Sequence, residues 1–208
     1  MDRRSVILGA AASALAFPAR ANKIVLGPPT PMGIPTRVFV SQPKIIRQDC
    51  PDWCWAASTA MIFASNGRAL PNQEIIIQRV FQAQTCTTAS PTTITQLLND
   101  NWLDAAGQGF KSGVVAGYDI YSGQTNIDNN IIVNELSNNR PLLYCNRHHA
   151  MVIVAMEYFD TPMGPNPQSV WVMDPWPWSP PFHPLSPQEM TAAHIGGDYC
   201  YSAAVVIT

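Results

Sequence analysis

The sequence predicts an α+β fold, in which a helical lobe in the N-terminal part of the chain packs on an antiparallel β-sheet formed by the C-terminal part. Helical patterns lie between residues 54 and 138, whereas β-branched and aromatic runs separated by turn residues begin at residue 142. The length of 208 residues suits one domain with a sizeable core.

The composition excludes several classes of protein. Charged residues make up 12% of the chain, below the usual value of about 25%, but the hydrophobic content of 47% argues against disorder. The chain has 12 Lys and Arg residues and 14 Asp and Glu residues, and it contains no run of basic residues. The charge pattern therefore does not predict a nucleic-acid-binding surface. The sequence contains no stretch of about 18 or more apolar residues, so it predicts no membrane span.

The first 21 residues have the composition of a secretory signal peptide. Arg3 and Arg4 precede a short apolar run, Val6–Phe17, and Ala19–Ala21 fits the small-residue pattern of a cleavage site. The paired arginines resemble a twin-arginine signal, and a general-secretion signal is the alternative. We therefore expect residues 1–21 to be removed from an exported protein, periplasmic or secreted, in a compartment where disulfides persist.

The segment that follows is rich in proline. Residues 22–47 contain five prolines, which disfavour a regular helix. We expect an extended, proline-rich N-terminal arm here, and a folded domain over residues 48–208.

The helical lobe is predicted around one central helix. Residues 54–65, Cys-Trp-Ala-Ala-Ser-Thr-Ala-Met-Ile-Phe-Ala-Ser, indicate a helix that is apolar on nearly every side, and such a helix belongs in the middle of a protein. Three amphipathic patterns predict further helices, two of them with a proline near the start. These helices are expected at Asn72–Gln82, Pro91–Asn99 and Asp128–Asn138.

The sheet is predicted from four runs rich in β-branched and aromatic residues. These runs are Leu142–Cys145, Ala150–Phe159, Ser169–Asp174 and Tyr199–Ile207. Nine of the 19 prolines lie between residues 161 and 187, so we expect long, stiff loops between these strands.

A cysteine at the start of the central helix is the first candidate for chemistry. The free amides and the dipole of a helix N-terminus favour an anion, so Cys54 is positioned to lose its proton. Gln48 lies six residues upstream, where its amide could fold over the same helix end and donate to a developing oxyanion.

The next candidates are a base and a group that orients it. His148 and His149 precede a buried apolar strand, and Asp174 follows the next strand, so an imidazole and a carboxylate can meet. We expect His149 to be the base, because strand alternation points His148 the opposite way, although His148 is the alternative. Trp176 could shield the hydrogen bond between the imidazole and the carboxylate from water.

The remaining histidines carry no predicted role. His183 and His194 lie in or near proline-rich loops and are expected to be ordinary surface residues. No C-x2-C or H-x3-H spacing indicates a zinc site, so we expect neither a metal ion nor an organic cofactor.

The order of these motifs resembles that of the papain-like cysteine peptidases. Gln, Cys-Trp-Ala-Ala, a His-led apolar strand and an Asp-Pro pair follow one another over roughly residues 46–176. The short bacterial branch is the most similar, akin to bacteriocin-processing peptidases and certain secreted plant-pathogen effector peptidases. The resemblance implies a papain-like fold with Gln48 as oxyanion donor, Cys54 as nucleophile, His149 as base and Asp174 as the orienting residue. Trp55 and Trp176 are expected to line the substrate site, with buried packing as the alternative.

The cysteine count fits a free nucleophile. Without Cys54, an even number of cysteines remains, and these allow three disulfide pairings. We favour Cys50–Cys86 and Cys145–Cys200, and the resemblance supports the first because papain-like enzymes often bridge a cysteine just upstream of the nucleophile.

The sequence thus predicts an exported thiol hydrolase that acts on a protein or peptide substrate. A transglutaminase-like acyl transferase with the same triad is the first alternative, since the two differ only in whether water or an amine accepts the acyl group. A catalytically silent module that binds peptides on the same fold is the second. Neither the oligomeric state nor the cleavage specificity is predicted.

Overall fold

The computed structural model describes residues 22–208 as an α+β protein built on a large antiparallel sheet. The predicted signal peptide lies outside the described residues. None of the helices in residues 22–208 is long and apolar enough to cross a membrane.

The described strands pair with one another in antiparallel fashion. They are β1 Lys23–Val25, β2 Ile34–Phe39, β3 Asn101–Leu103, β4 Gly109–Asp119, β5 Gln124–Thr125, β6 Leu142–Cys145, β7 Ala150–Thr161, β8 Gly164–Met173, β9 Phe182–Pro184 and β10 Tyr201–Ile207. The main path through the sheet runs β1-β2-β7-β6-β10-β4-β3, with β5 beside β4, and β8 and then β9 continuing from β7.

Five helices and a 3₁₀ turn connect these strands in the described part of the chain. They are α1 Cys54–Ser65, α2 Glu74–Phe81, α3 Pro91–Leu98, α4 Asn129–Ser137, α5 Pro187–Met190 and the 3₁₀ turn Ala193–Ile195. Side chains cap three of the helix N-termini: Ser90 begins α3, Asp128 begins α4 and Ser186 forms a capping box with Glu189 at α5. The bounds of α1 to α4 lie within two residues of those predicted from the sequence.

Helix α1 is buried along most of its length, as its uniform apolarity predicts. It packs on β6 and β7, and α4 packs on the same two strands. Consecutive residues of a strand point to opposite faces of a sheet. Because Tyr144 lines a cavity next to α4 and Cys145 lines a cleft next to α1, the two helices cover opposite faces.

The chain does not separate into helices first and strands second as expected. The proline-rich segment 22–47, predicted as an extended arm, contributes β1 and β2, and β2 pairs with β7 inside the sheet. Strand β4, which lies between α3 and α4 along the chain, was also not predicted. It pairs with β10. These strands are stabilised by pairing with distant segments rather than by local propensity.

The register of β7 and β8 determines where their ends meet. Val152 of β7 pairs with Met173 of β8, so the start of one strand lies beside the end of the other. His149 directly precedes β7 and Asp174 directly follows β8. The sheet therefore brings these two residues together, although they are 25 positions apart in sequence.

Candidate active site

Cys54 is the first residue of α1 and is partly exposed. No side chain in the described part of the chain caps this helix N-terminus, so its amides are available to an anion. The loop before the helix is held by a disulfide between Cys50 and Cys86, and the indole N–H of Trp53 donates to the carbonyl of Thr85 at 2.8 Å. The sulfur is thus presented by a braced loop and a buried helix.

His149 is held in the turn between β6 and β7. The Asn146 side-chain oxygen accepts the backbone N–H groups of His148 and His149 at 2.9 and 2.7 Å, and Asn146 N–H donates to the His149 carbonyl at 3.0 Å. The side chain of His149 is only 20% exposed, whereas His148 lies on the surface. Of the two histidines, the structure therefore directs His149 inward.

The Asp174 carboxylate is buried and surrounded by hydrogen-bond donors. Its Oδ1 lies 2.6 Å from His149 Nε2 and accepts the Trp176 backbone N–H at 2.7 Å. Its Oδ2 lies 3.2 Å from Nε2 of a second histidine, His183 on β9. Both carboxylate oxygens are therefore engaged.

Arg47 holds the loop that follows Asp174. Its guanidinium donates to the main-chain carbonyls of Asp174 and Ser179, at 2.9 and 3.2 Å, and to the carbonyl of Trp176. The Gln48 N–H also donates to the Pro175 carbonyl at 3.0 Å. The segment before α1 is thereby tied to the loop that carries the carboxylate.

The charges of Asp174 and His149 support each other. Burial lowers the pKa of His149, but hydrogen bonds with Asp174 and Cys54 outweigh it and raise the pKa to about 9. Burial raises the pKa of Asp174, but donation from His149 and from the Trp176 N–H outweighs it and lowers the pKa to about 2. At neutral pH the pair is therefore an imidazolium and a carboxylate.

A cleft with a volume of about 230 Å³ opens beside the thiol and the imidazole. It is lined by Cys54 and His149, and by small side chains of the segment after α2 such as Thr88 and Ala89. Because Cys54 and His149 line the same cleft, the thiol is near enough to contribute to the raised pKa of the imidazole. The arrangement can supply a nucleophile and a proton donor to one bound group.

Gln48 lies at the predicted place but with its amide turned to the loop. Its Nε2 donates to the carbonyls of Cys50 and Pro51 at 3.0 and 2.6 Å, and its buried Oε1 has no partner among the described residues. Because both amide hydrogens are engaged, donation from Gln48 to an oxyanion requires that one of these bonds is released when substrate binds.

One of the two predicted disulfides is present. The Cys50–Cys86 disulfide is present, but the prediction of a Cys145–Cys200 bridge is wrong, since both cysteines are free thiols. Cys145 pairs with Tyr201 in the sheet, so Cys200, one residue earlier, does not stand opposite it. The Cys200 thiol instead donates to the carbonyls of Cys145 and Asn146 at 3.3 and 3.1 Å.

The two tryptophans expected at the substrate site lie in different environments. Trp55 is 2% exposed and its indole N–H donates to the Thr87 carbonyl at 3.1 Å, so it supports the wall of the cleft from within. Trp176 is partly exposed, and its ring lies nearly perpendicular to that of His149 with centroids 6.4 Å apart. Trp176 is therefore packed beside the imidazole but is not among the residues that line the cleft, and its shielding role stays a prediction.

Three residues of the site were not singled out by the sequence. Asn146 could have been recognised, because Asn in a short turn accepts backbone N–H groups two and three residues later. Arg47 gave no signal, since its partners are main-chain carbonyls. His183 was expected on the surface, yet it reaches the Asp174 carboxylate. Within residues 22–208, no group of three or more His, Cys, Asp or Glu side chains is arranged to hold a metal ion.

Comparison with solved structures finds a likeness to one described as "Crystal structure of a double glycine motif protease from AMS/PCAT transporter in complex with the leader peptide". The TM-score is 0.43 and the sequence identity 14%, over 81% of this chain and 93% of that chain. No protein-family model matches the chain, and no curated protein does. A likeness at this level shows neither a family nor an activity, so the activity has to be inferred from the geometry of the site.

Proposed function

We propose that this chain is an exported, papain-like cysteine peptidase that hydrolyses peptide bonds through Cys54, His149 and Asp174. The observation that carries the proposal is the placement of the His149 imidazole between a thiol and a carboxylate. Its Nε2 lies 2.6 Å from Asp174 Oδ1, and the Cys54 thiol at the N-terminus of α1 lines the same cleft as this ring.

The proposed reaction uses each group once in the acylation step. The Cys54 thiolate attacks the amide carbonyl, and the Cys54 backbone N–H stabilises the oxyanion together with Gln48, once that amide has been released from the loop. The His149 imidazolium protonates the leaving amine, which leaves a thioester on Cys54. Asp174 holds the imidazole in place and stabilises its charge throughout.

Deacylation runs through the same residues in reverse roles. Neutral His149 removes a proton from water, the resulting hydroxide attacks the thioester, and the acid product and the Cys54 thiolate are released, which restores the thiolate and imidazolium. An amine in place of water would make the enzyme a transferase, so an assay with added primary amine separates hydrolysis from acyl transfer.

The proposal is tested by labelling the thiol and by cleavage of an unfolded protein. Wild-type protein treated with limiting iodoacetamide at pH 7 should be alkylated at Cys54, as read by mass spectrometry of peptides. His149→Ala should slow this labelling by about ten- to thirtyfold, because an ordinary thiol with a pKa of about 8.5 is only ~3% ionised at pH 7, while His148→Ala should leave it within about twofold. Cys54→Ala should abolish cleavage of an unfolded protein substrate; unchanged cleavage would favour a silent binding module contaminated by another peptidase.

The location outside the cytoplasm is part of the same proposal. A disulfide between Cys50 and Cys86 braces the loop before Cys54, and such bonds persist in oxidising compartments. Fractionation of cells that produce the full chain should find it without residues 1–21, outside the cytoplasm. Full-length protein confined to the cytosol would contradict this.

A further inference from the structure

A second histidine contacts the carboxylate that the proposed mechanism uses. His183 lies on β9, and its Nε2 is 3.2 Å from Asp174 Oδ2, while His149 and the Trp176 N–H engage the other oxygen. Asp174 has a side chain only 5% exposed, so water does not readily replace a lost donor at Oδ2.

The protonation of His183 is restricted by its two neighbours. Its Nδ1 lies 3.1 Å from the main-chain carbonyl of Pro184, and its Nε2 faces the Asp174 carboxylate. A carbonyl and a carboxylate only accept hydrogen bonds. A neutral imidazole carries one N–H and can satisfy one of these oxygens, whereas the doubly protonated ring satisfies both.

The other charged groups around Asp174 do not duplicate this contact. His149 approaches Oδ1 from the turn before β7, and Cys54 on α1 faces His149 rather than the carboxylate. The guanidinium of Arg47 binds the main-chain carbonyl of Asp174, not its side chain. Among these groups, only His183 is in contact with Oδ2.

We propose that His183 is a positioning residue, which donates from Nε2 to Asp174 Oδ2 and fixes the plane of the carboxylate so that Oδ1 faces His149. Without this donor, the carboxylate can rotate and share both oxygens between His149 and the Trp176 N–H. The His149 imidazole is then less firmly oriented towards Cys54. This role rests on the proposed function, since it acts through the same triad.

The first test uses the wild-type protein and requires no substrate. A long-range ¹H–¹⁵N correlation spectrum of ¹⁵N-labelled protein at pH 7 reports which ring nitrogens of each histidine carry protons. We expect His183 Nε2 to be protonated. An unprotonated Nε2, with the proton on Nδ1 alone, would overturn the proposal whether or not any variant folds.

The second test compares two substitutions with a matched control. His183→Phe keeps a ring but removes the donor, and His183→Gln keeps an N–H donor; His194→Phe removes an exposed histidine elsewhere on the surface. We expect His183→Phe to slow alkylation of Cys54 at pH 7 by about five- to tenfold, the effect of one lost hydrogen bond. His183→Gln and His194→Phe should stay within about twofold.

A spectroscopic signature separates positioning from a general loss of packing. The proton shared by His149 and Asp174 should give a far-downfield resonance that is broadened in His183→Phe and retained in His183→Gln. An unchanged rate and resonance in His183→Phe would refute the role, as would equal defects in both variants. If Cys54 of the wild type reacts no faster than in urea-unfolded protein, the proposed function fails instead, independently of His183.

Discussion

Replacing Asp174 by Asn removes the negative charge beside His149 and keeps the size of the side chain. In the intact site, burial lowers the pKa of His149, but Asp174 and Cys54 together raise it from 6.5 to about 9. In Asp174→Asn the thiol alone opposes burial. We therefore expect the pKa of His149 to fall to its ordinary value of 6.5 or below.

The size of the effect follows from the two pKa values. At pH 8, a group with a pKa of about 9 is ~90% protonated, whereas a group with a pKa of 6.5 is ~3% protonated. The imidazolium that stabilises the Cys54 thiolate is then nearly absent. An ordinary thiol, with a pKa of about 8.5, is still ~25% ionised at pH 8, so we expect the rate of Cys54 alkylation by iodoacetamide at pH 8 to fall by up to about fourfold.

The assay is a pH series from 5 to about 10, with the alkylation rate and the His149 Cε1–H chemical shift measured on the same samples. In wild-type protein the His149 shift should titrate at about 9, whereas the alkylation rate should change little between pH 6 and 8 because the imidazolium keeps Cys54 ionised there. In the Asp174→Asn variant, His149 should titrate near or below 6.5. If His149 of the variant still titrates within one unit of 9, the carboxylate is not what holds the proton, and the reasoning is refuted.

The same pair affects folding stability with a defined sign. Because the pKa of His149 is raised by folding, its stabilising contribution is fully present below pH 6.5 and is lost as pH rises through about 9. A rise from 6.5 to about 9 corresponds to at most about 3 kcal/mol. Urea unfolding should therefore show a larger difference between wild type and Asp174→Asn at pH 6 than at pH 10.

Three further predictions concern the loop, the disulfide and the buried thiols. Arg47→Met removes the donor to three carbonyls, so it should lower the free energy of unfolding, measured by urea titration, by about 2–3 kcal/mol. The control Arg37→Met, at an exposed ion pair, should lower it by less than about 1 kcal/mol. Reduction of Cys50–Cys86 should cost about 2–4 kcal/mol in the same assay; no change would mean that the bridge constrains little. Thiol titration of native protein should show one fast cysteine, Cys54, because Cys145 and Cys200 are 7% and 3% exposed; two or more fast thiols would contradict this burial.

Elements with strong local patterns could be predicted from the sequence alone. The uniform apolarity of residues 54–65 predicted a buried helix, and α1 spans Cys54–Ser65. The run Leu142–Cys145 likewise coincides with β6. In both cases hydrophobic pattern and propensity favour the same structure as the tertiary contacts.

Elements that depend on distant partners were missed. β4 contains glycines, and a Cβ at Gly117 would lie 3.0 Å from the Ser202 carbonyl, so close pairing with β10 explains a residue that local propensity disfavours. β8 begins earlier than predicted, at Gly164, although it contains Pro165 and Pro167. β9 pairs only with residues 171–173 of β8, so the prolines lie on a stretch without a second neighbour, where a missing N–H is tolerated.

The position of His183 depends on one such distant pairing. The β8–β9 register places His183 opposite Val172, and backbone bonds on both sides hold it: Asp174 N–H donates to the Pro181 carbonyl at 3.0 Å, and Leu185 N–H to the Val170 carbonyl at 2.8 Å. A slip of one residue would turn His183 to the other face of the sheet, away from Asp174. The proline-rich loop between the two strands restricts this register, because proline fixes the backbone angle φ. The same prolines are typical of an irregular loop, so the sequence pattern did not predict the β8–β9 pairing. A variant that shortens this loop by one residue should therefore slow Cys54 alkylation at least as much as His183→Phe, because it also disturbs the contacts of Trp176 and Arg47 in the same loop.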